Sequence, residues 1–436
     1  MLESPPNPLE DDNYLDLVGK TDNEHEIVDN HILFAVYKNA VDFVITEDRS
    51  IHKKASRLGI EDRVFSLEDA LTTLEKIFKE FQPPVPPAIL KKIVYNLDKN
   101  DAIFDSLKDE YDDFEDWFEK ISKEGRNCWV NFNEDGFIGA VLIYKIEDEP
   151  IELETEVLTS KDRLKICTFK AVKTGYKIGE LFLKLSVEYA LKNNLEEIYL
   201  THFIKPNDYL TDLITEYGFI CVGKNKRIGD EVFLKKLEVD KRDLRKLFES
   251  KGPVEIAKTF YPHFYDGGKV KKFIVPIQPE YHQRLFVDYK ERQTTLLEFS
   301  GKFIIEGNTI KKAYICNSVR DMNPGDILFF YKSQDQELTT IGVVEKVFID
   351  QPKDEIIKIV GKRTVYTDEE IEKITKKKRN LVILFIMISH LPNTLKLEDL
   401  KNKKILKRAP QSITNITDKY NKLKAESGIN GSFTFN

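Results

Sequence analysis

At 436 residues the chain is long enough for about three domains of ordinary size. It is 41% hydrophobic and 32% charged, which suits soluble globular domains with large cores. Its net charge of −7 argues against a generally basic, non-specific nucleic-acid binder, while leaving room for a local basic face. The four cysteines, Cys128, Cys167, Cys221 and Cys316, have no paired spacing, so reduced thiols in a cytoplasmic protein without a zinc site are expected. The start of the chain has no apolar core of a signal peptide, and the apolar run Leu381 to Ile388 is too short to span a bilayer. No membrane partner is expected.

Residues 1 to about 25 are polar and Pro-rich and are expected to be poorly ordered. A helix is predicted from Ile27 to Asn39, a strand over Asp42 to Thr46, a helix from Ser50 to Leu58 stopped by Gly59, a strand at Val64 to Ser66 and a helix from Leu67 to Phe78. That alternation is half of a doubly wound sheet. Asp29 and Asp48 are candidates to share a divalent cation, because hard metals take carboxylate oxygens; a helix-start charge and a loop acid are the plainer account. The run Asp29-Asn30-His31-Ile32-Leu33, followed by Asp42 to Asp48, resembles the second half of PIN-type ribonucleases. The resemblance implies a Mg or Mn cluster, but no apolar strand bearing a further Asp precedes residue 27. The segment from 1 to 80 therefore reads as a partial PIN-like domain that lacks nuclease activity by itself.

Gln82-Pro83-Pro84-Val85-Pro86-Pro87 is the clearest linker, and a stiff one. Helices are predicted over Ala88 to Leu97 and Ile103 to Ile121, the second with an aromatic stripe that is most simply core. A hairpin follows, Cys128 to Phe132 and Phe137 to Ile146. Next come a strand, Leu164 to Val172, a Gly-flanked turn, and a helix with Leu181, Leu185 and Tyr189 on one row. A strand ends at His202, and a short helix from Tyr209 to Tyr217 is stopped by Gly218. A strand running through glycines into a helix aims backbone N–H groups and the positive end of the helix dipole at one spot, which suits a phosphate; on the glycines alone, a plain strand-to-helix turn is the simpler reading.

The run from Leu164 to Gly223 resembles the acyl-CoA core of the GNAT N-acetyltransferases. Thr174, Lys177 and Gly179 fall on the family's turn motif, with Lys177 replacing its first Gly, and Asn207 with Gly218-Phe219 falls on its later Asn-to-Gly-Phe block. The resemblance implies an acetyl-CoA site made by Ala171, Val172, Lys173, Thr174, Gly175, Tyr176, Lys177, Ile178, Gly179, Glu180 and Asn207. Ile214 stands where many members carry the Tyr that protonates the leaving thiolate, so Tyr217, His202 and Tyr209 become the candidate acids, with water as another. Each Tyr is otherwise simply packing.

After Pro253 the strands become short, with Gly and polar turns, and a small barrel is predicted. Pro324 to Ser333, with Ile341-Gly342-Val343-Val344-Glu345, resembles the PUA-like barrels of the ASCH and EVE type. That resemblance implies a pocket facing RNA or a modified nucleotide, with Asn317, Tyr331, Lys332 and Ser333 as candidate lining residues. Basic runs at Lys376 to Arg379 and Lys401 to Arg408 suit phosphate contacts, or simply a solvated face.

The expected fold class is thus multidomain α/β and α+β: a partial PIN-like segment over 1–80, a GNAT fold over 84–240 and a small PUA-like β-barrel over 262–436. The expected function is acetyl-CoA-dependent N-acetyltransfer on an RNA-associated or protein substrate. The alternative is a regulator that senses acetyl-CoA and binds nucleic acid; the departures at Lys177 and Ile214 lean that way.

Overall fold

A computed structural model describes residues 7–67, 69–70, 88–133, 135–172, 177–289, 302–304, 309–361, 363–377, 379–429 and 434–435. They form two compact units, one within Met1–Pro83 and Asp350–Lys378, the other within Pro84–Ile349 and Arg379–Asn436. Residues 350–378, which fall inside the 262–436 segment, therefore belong to the first unit.

In the first unit α1 (Asp12–Val18) replaces the disorder predicted from composition. Asp11 caps it, and it buries Tyr14, Leu15 and Val18. The Tyr14 hydroxyl donates to the Asn30 carbonyl at 2.6 Å. Three well-placed apolar residues were enough to anchor an otherwise polar stretch. α2 (Glu24–Tyr37) is capped by Asn23. β1 (Val44–Ile45), α3 (Arg49–Leu58) and β2 (Val64–Phe65) then form a small βαβ unit, with the two strands parallel. Gly59 ends α3 in the left-handed conformation, φ +70°, as the sequence suggests. Helices Lys353–Val360 and Asp368–Thr375 complete the unit, with Lys358 ion-paired to Asp42. The predicted helix beyond Leu67 and the proline linker fall largely outside the described residues.

The second unit begins with β3 (Ala88–Ile93), where the sequence predicts a helix. Pairing with β4 (Asn127–Phe132), Leu90 opposite Val130, overrides the helical character of that lysine-bearing run. The predicted long helix from 103 to 121 is split into α4 (Asp105–Glu110) and α5 (Phe114–Lys123). Its aromatic stripe is indeed core: Phe104, Phe114, Phe118 and Ile121 form one cluster with Val130, Val141 and Ile143. β5 (Ile138–Glu147), the small hairpin β6 (Ile151–Glu152) and β7 (Val157–Leu158), and β8 (Arg163–Ala171) follow. α6 (Ile178–Lys192), β9 (Glu197–His202), α7 (Tyr209–Glu216), β10 (Ile220–Lys224) and β11 (Glu231–Lys236) come next. α8 (Lys241–Lys251) and α9 (Pro253–Thr259) lead to β12 (Phe264–Tyr265), β13 (Lys272–Ile277) and α10 (Pro279–Leu285). β14 (Lys302–Ile304), β15 (Lys311–Cys316), β16 (Ile327–Lys332), β17 (Glu337–Ile349), β18 (Leu381–Lys396) and β19 (Thr414–Asn415) are the remaining strands of the two sheets.

The first sheet runs β10-β11-β9-β8-β5-β4-β3-β14, so a strand from far downstream closes its edge. The second runs β15-β18-β17-β16-β13-β19. Its end strands are not joined to each other, so among the described residues no barrel closes, and the predicted small barrel is corrected to an open mixed sheet in which β13 and β16 run parallel. One apolar core unites both sheets, including Leu181, Ile214 and Phe233 from one side and Ile274, Phe329 and Ile386 from the other. Ion pairs add to this joint: Lys311 and Lys258 both reach Glu216, at 2.6 and 3.0 Å, and Lys258 reaches Glu345 at 2.8 Å. The buried Lys235 donates to the carbonyls of Tyr217 and Thr259 at 2.7 and 3.1 Å. Among the described residues no helix is long and apolar enough to cross a membrane.

Candidate functional site

The site is built on a defect in one strand. Opposite Ile143 and Tyr144 of β5, strand β8 carries one residue too many: Thr168 faces Ile143, Ile166 faces Tyr144, and Cys167 bulges between them. Up to Ile166, β8 runs parallel to β9, with Arg163 to Ile166 opposite Glu197 to Leu200. From the bulge onward the two strands part, and Thr201 and His202 pair only with β11. The result is a wedge between β8 and β9, with backbone groups along its walls that the neighbouring strand does not satisfy.

Cys167 and Thr168 on one wall and Thr201 on the other line a cavity of about 510 Å³. Tyr111, Phe114 and Trp117 form an aromatic side. The base holds Asp230, which is fully buried (0% exposed) just before β11. Its Oδ2 lies 3.5 Å from the Tyr111 hydroxyl, its Oδ1 has no partner within hydrogen-bond distance among the described residues, and the Thr201 side chain is near enough to act on its ionisation. Burial raises its pKa above the ordinary carboxylate value. Burial likewise raises the Cys167 thiol, against the pull of Arg126, Lys165 and Lys145. Two features of this arrangement are absent from the local sequence pattern. The bulge leaves no mark in β8, and Asp230 sits in an ordinary Gly-Asp-Glu turn.

The predicted coenzyme residues gather at the start of α6. Lys177 takes the left-handed conformation, φ +51°, and caps the helix without a side-chain bond to it. The first-turn N–H groups of Ile178, Gly179 and Glu180 have no partner inside the helix. Gly179 packs tightly, since a Cβ there would lie 2.9 Å from Leu213 Cδ2. Ala171 and Val172 are exposed at the end of β8, and Lys173 to Tyr176 lie outside the described residues. Glu180 is buried and accepts a bond from the Lys311 backbone N–H, so its carboxylate is turned to the second sheet. Asn207 is exposed with φ +58°, directly before α7.

The predicted acids occupy three different settings, and none lines the cavity. Tyr217 is 1% exposed within the joint core, edge-on to Tyr261, with a hydroxyl that has no partner. Burial holds its pKa far above 10. His202 contacts Asp208 Oδ2 through Nε2 at 2.5 Å. Burial opposes ionisation of Asp208, but the His202 bond and the N–H groups of α7 outweigh it and bring its pKa down to about 2. Tyr209 is half-buried in the first turn of α7. Ile214 is fully buried in the core.

The predicted nucleotide pocket does not assemble from its four residues. Lys332 pairs with Glu337 at the start of β17, whereas Asn317 follows Cys316, which pairs with Leu381 beside Ile349 at the other end of β17. The two groups thus pair at opposite ends of β17, although the sheet curls enough to bring Tyr314 of β15 edge-on to Phe330 of β16, ring centroids 5.8 Å apart. Tyr331 is fully buried in the core, Lys332 is paired with Asp335, Ser333 donates its N–H to the Ile277 carbonyl, and Asn317 donates to the Arg379 carbonyl. A group of exposed cations gathers instead around the end of helix α11 (Leu397–Asn402), at Lys401, Lys403, Lys404, Lys407 and Arg408, with Lys403 paired to Glu426.

The proposed metal pair does not fit a hard cation either. Asp48 Oδ1 already accepts the Ser50 N–H at 2.7 Å as a helix cap. Asp29 lies close enough to feel Asp48, and its pKa is raised by burial first and by that charge second. Lys54 supplies a competing cation, and no group of three or more candidate ligands exists among the described residues.

No family model matches the chain, and no curated protein matches it. Solved structures do show likeness over about a third of it. An ASCH protein from Zymomonas mobilis is 11% identical, with 36% of this chain and 94% of that chain covered at a TM-score of 0.28. A GNAT family N-acetyltransferase of Escherichia coli, solved in complex with CoA, is 8% identical, with 36% and 85% covered at a TM-score of 0.27. An acetyltransferase of the GNAT family from Listeria monocytogenes is 18% identical, with 34% and 95% covered at a TM-score of 0.23.

Proposed function

We propose that the chain transfers an acetyl group from acetyl-CoA to an amine bound in the wedge between β8 and β9. Residues 84–240 act as a GNAT-type domain, 262–349 with 379–436 as an ASCH/EVE-type module, and 1–80 as a PIN-like remnant. The observation that carries this reading is the buried Asp230, with a carboxylate oxygen that has no partner among the described residues, at the base of a cavity opened by the parting of two strands. Acetyl-CoA supplies an activated acetyl group; Ile178 to Glu180, Lys177 and Asn207 are the described residues placed to hold it. Asp230 takes the proton that the amine sheds as it becomes an amide, and burial, which raises its pKa, makes its carboxylate a stronger base than an exposed one. N–H groups left unpaired by the wedge orient the carbonyl to be attacked. With Ile214 buried at the position of the family's Tyr, the proton for the departing thiol comes from water rather than from Tyr217.

The test is thiol release from acetyl-CoA with an amine acceptor. Asp230→Asn lowers kcat/KM by about 10²–10⁴. In the unsubstituted protein kcat/KM falls as pH drops through the raised pKa of Asp230, because the base must be ionised, and the variant loses that limb. Full activity in Asp230→Asn refutes the assignment.

A second reading concerns nucleic acid, favoured by the exposed cations at Lys401 to Arg408. We place the phosphate contact there rather than at Asn317, Tyr331, Lys332 and Ser333. The full-length protein should bind short single-stranded RNA with an affinity that declines steadily as salt rises, and Lys404→Glu with Lys407→Glu should flatten that slope. Absence of binding at low salt removes this reading and leaves the second sheet as a docking partner of the first.

A further inference from the structure

Resting on the acetyl-transfer reading, the charge around the wedge defines the acceptor's class. The cavity lining includes Asp113, Asp116, Lys120, Glu149 and Arg227, and beside Cys167 stand three further cations, Arg126, Lys145 and Lys165. Their side chains are only 11%, 25% and 30% exposed. Behind Lys145 and Lys165 stands a single buried carboxylate, Glu147, 3.6 Å from Lys165 and in contact with Lys145 and the Tyr199 hydroxyl. Their other carboxylate neighbours, Glu149 beside Lys145 and Glu124 beside Arg126, are 70% and 42% exposed. Arg126 also directs Nη1 at Cys167 Sγ, 3.6 Å away. This wall of the cavity thus carries more half-buried positive charge than buried negative charge.

At the base Asp230 offers its Oδ1, without a partner among the described residues, to a donor, and Lys165 is near enough to act on its ionisation. Lys165 and Cys167 are two residues apart on one strand, about 6.6 Å along it. Asp230 and Lys165 line one cavity of about 510 Å³, so an amine at Asp230 sits within one small molecule's reach of Lys165. Phe114 and Trp117 supply the aromatic part of the lining, and Arg227 elsewhere in it lies 3.7 Å from Asp113. A simple cationic amine would meet repulsion from three cations, whereas a molecule with both charges would satisfy both walls.

We propose that the acceptor is a primary amine on an apolar body that also bears an anionic group, as in a hydrophobic amino acid. The amine meets Asp230, the anionic group meets Lys165, Arg126 and Lys145, and the apolar body lies against Phe114 and Trp117. A carboxylate and a phosphonate share this chemistry.

The experiment measures thiol release by the full-length protein with L-phenylalanine, its phosphonate analogue, L-phenylalaninamide and phenethylamine. The expected result is kcat/KM at least about tenfold higher for an anionic acceptor than for the amide and the plain amine, the scale of one charge-assisted hydrogen bond. Whether the carboxylate, the phosphonate or both gain tells which anion the wall fits. Lys165→Met should raise KM for the anionic acceptors about tenfold and bring their ratio to the amide towards one. Equal use of the amide and the amino acid overturns the proposal while leaving acetyl transfer intact, as does a Lys165→Met effect that is the same for every acceptor. If no amine releases thiol, acetyl transfer itself fails, and calorimetry with N-acetylphenylalanine and its amide decides the pocket. Selective binding of the acid, lost in Lys165→Met, upholds the pocket's selectivity, and equal or no binding overturns it.

Discussion

Asp208 shows how one carboxylate can position a strand end and a helix start at once. It accepts the N–H groups of Leu210 and Thr211, at 3.0 and 3.1 Å, while holding His202. Its pKa falls from the ordinary 3.8 to about 2, so the stability it adds is fully present above pH 3.8 and is lost as pH drops through about 2. That shift corresponds to about 2 kcal/mol. Asp208→Ala should lose that contribution and the helix cap together, about 3 kcal/mol, read as a lower urea midpoint at pH 7 whose deficit shrinks on acidification. A deficit that does not change with pH would show that the cap alone matters. Little of this was legible from the residues. His202 and Asn207 stand out in the sequence through resemblance, but Asp208 and Asp230 look like any surface acid until burial is known.

The elements were more legible where their signals were local. Gly59 and Gly218 end their helices as predicted, and the apolar rows of α6 face a sheet. The misread elements were decided by distant partners. β3 is a strand because β4 and β14 flank it, and α4 and α5 separate at Tyr111 to Asp113, placing the Tyr111 hydroxyl by Asp230. The same dependence on neighbours applies to the turn before α6. Gly179→Glu would press a side chain toward Leu213 and add a negative charge at the helix start, and it should abolish acetyl-CoA binding in calorimetry. Unchanged affinity would move the coenzyme elsewhere.

At the scale of the molecule, the segment 84–240 shares one core with 241–349 and 379–436 rather than meeting them across a surface. Gly218 exemplifies the fit, because a Cβ there would come within 1.8 Å of the Thr259 carbonyl oxygen at a φ of +83°. Lys235, whose pKa burial lowers to about 7, ties the end of α7 to the end of α9. Residues 84–240 expressed alone should therefore be insoluble or molten, with loss of near-ultraviolet circular dichroism, whereas co-expression with 241–436 should rescue them. A well-folded, soluble 84–240 fragment would contradict a shared core. Such continuity was invisible in the sequence, where the texture change after Pro253 reads as a boundary.

The late edge strand β14 has a consequence for synthesis. When the ribosome has made the first seven strands of the sheet, β3 presents an open row of N–H and C=O groups, and its natural partner, Lys302–Ile304, has not yet been made. For that interval the nascent chain carries a template for pairing with another copy of itself. Lys91 and Lys92, both exposed on β3, place positive charge along that waiting edge, where two nascent copies would repel each other.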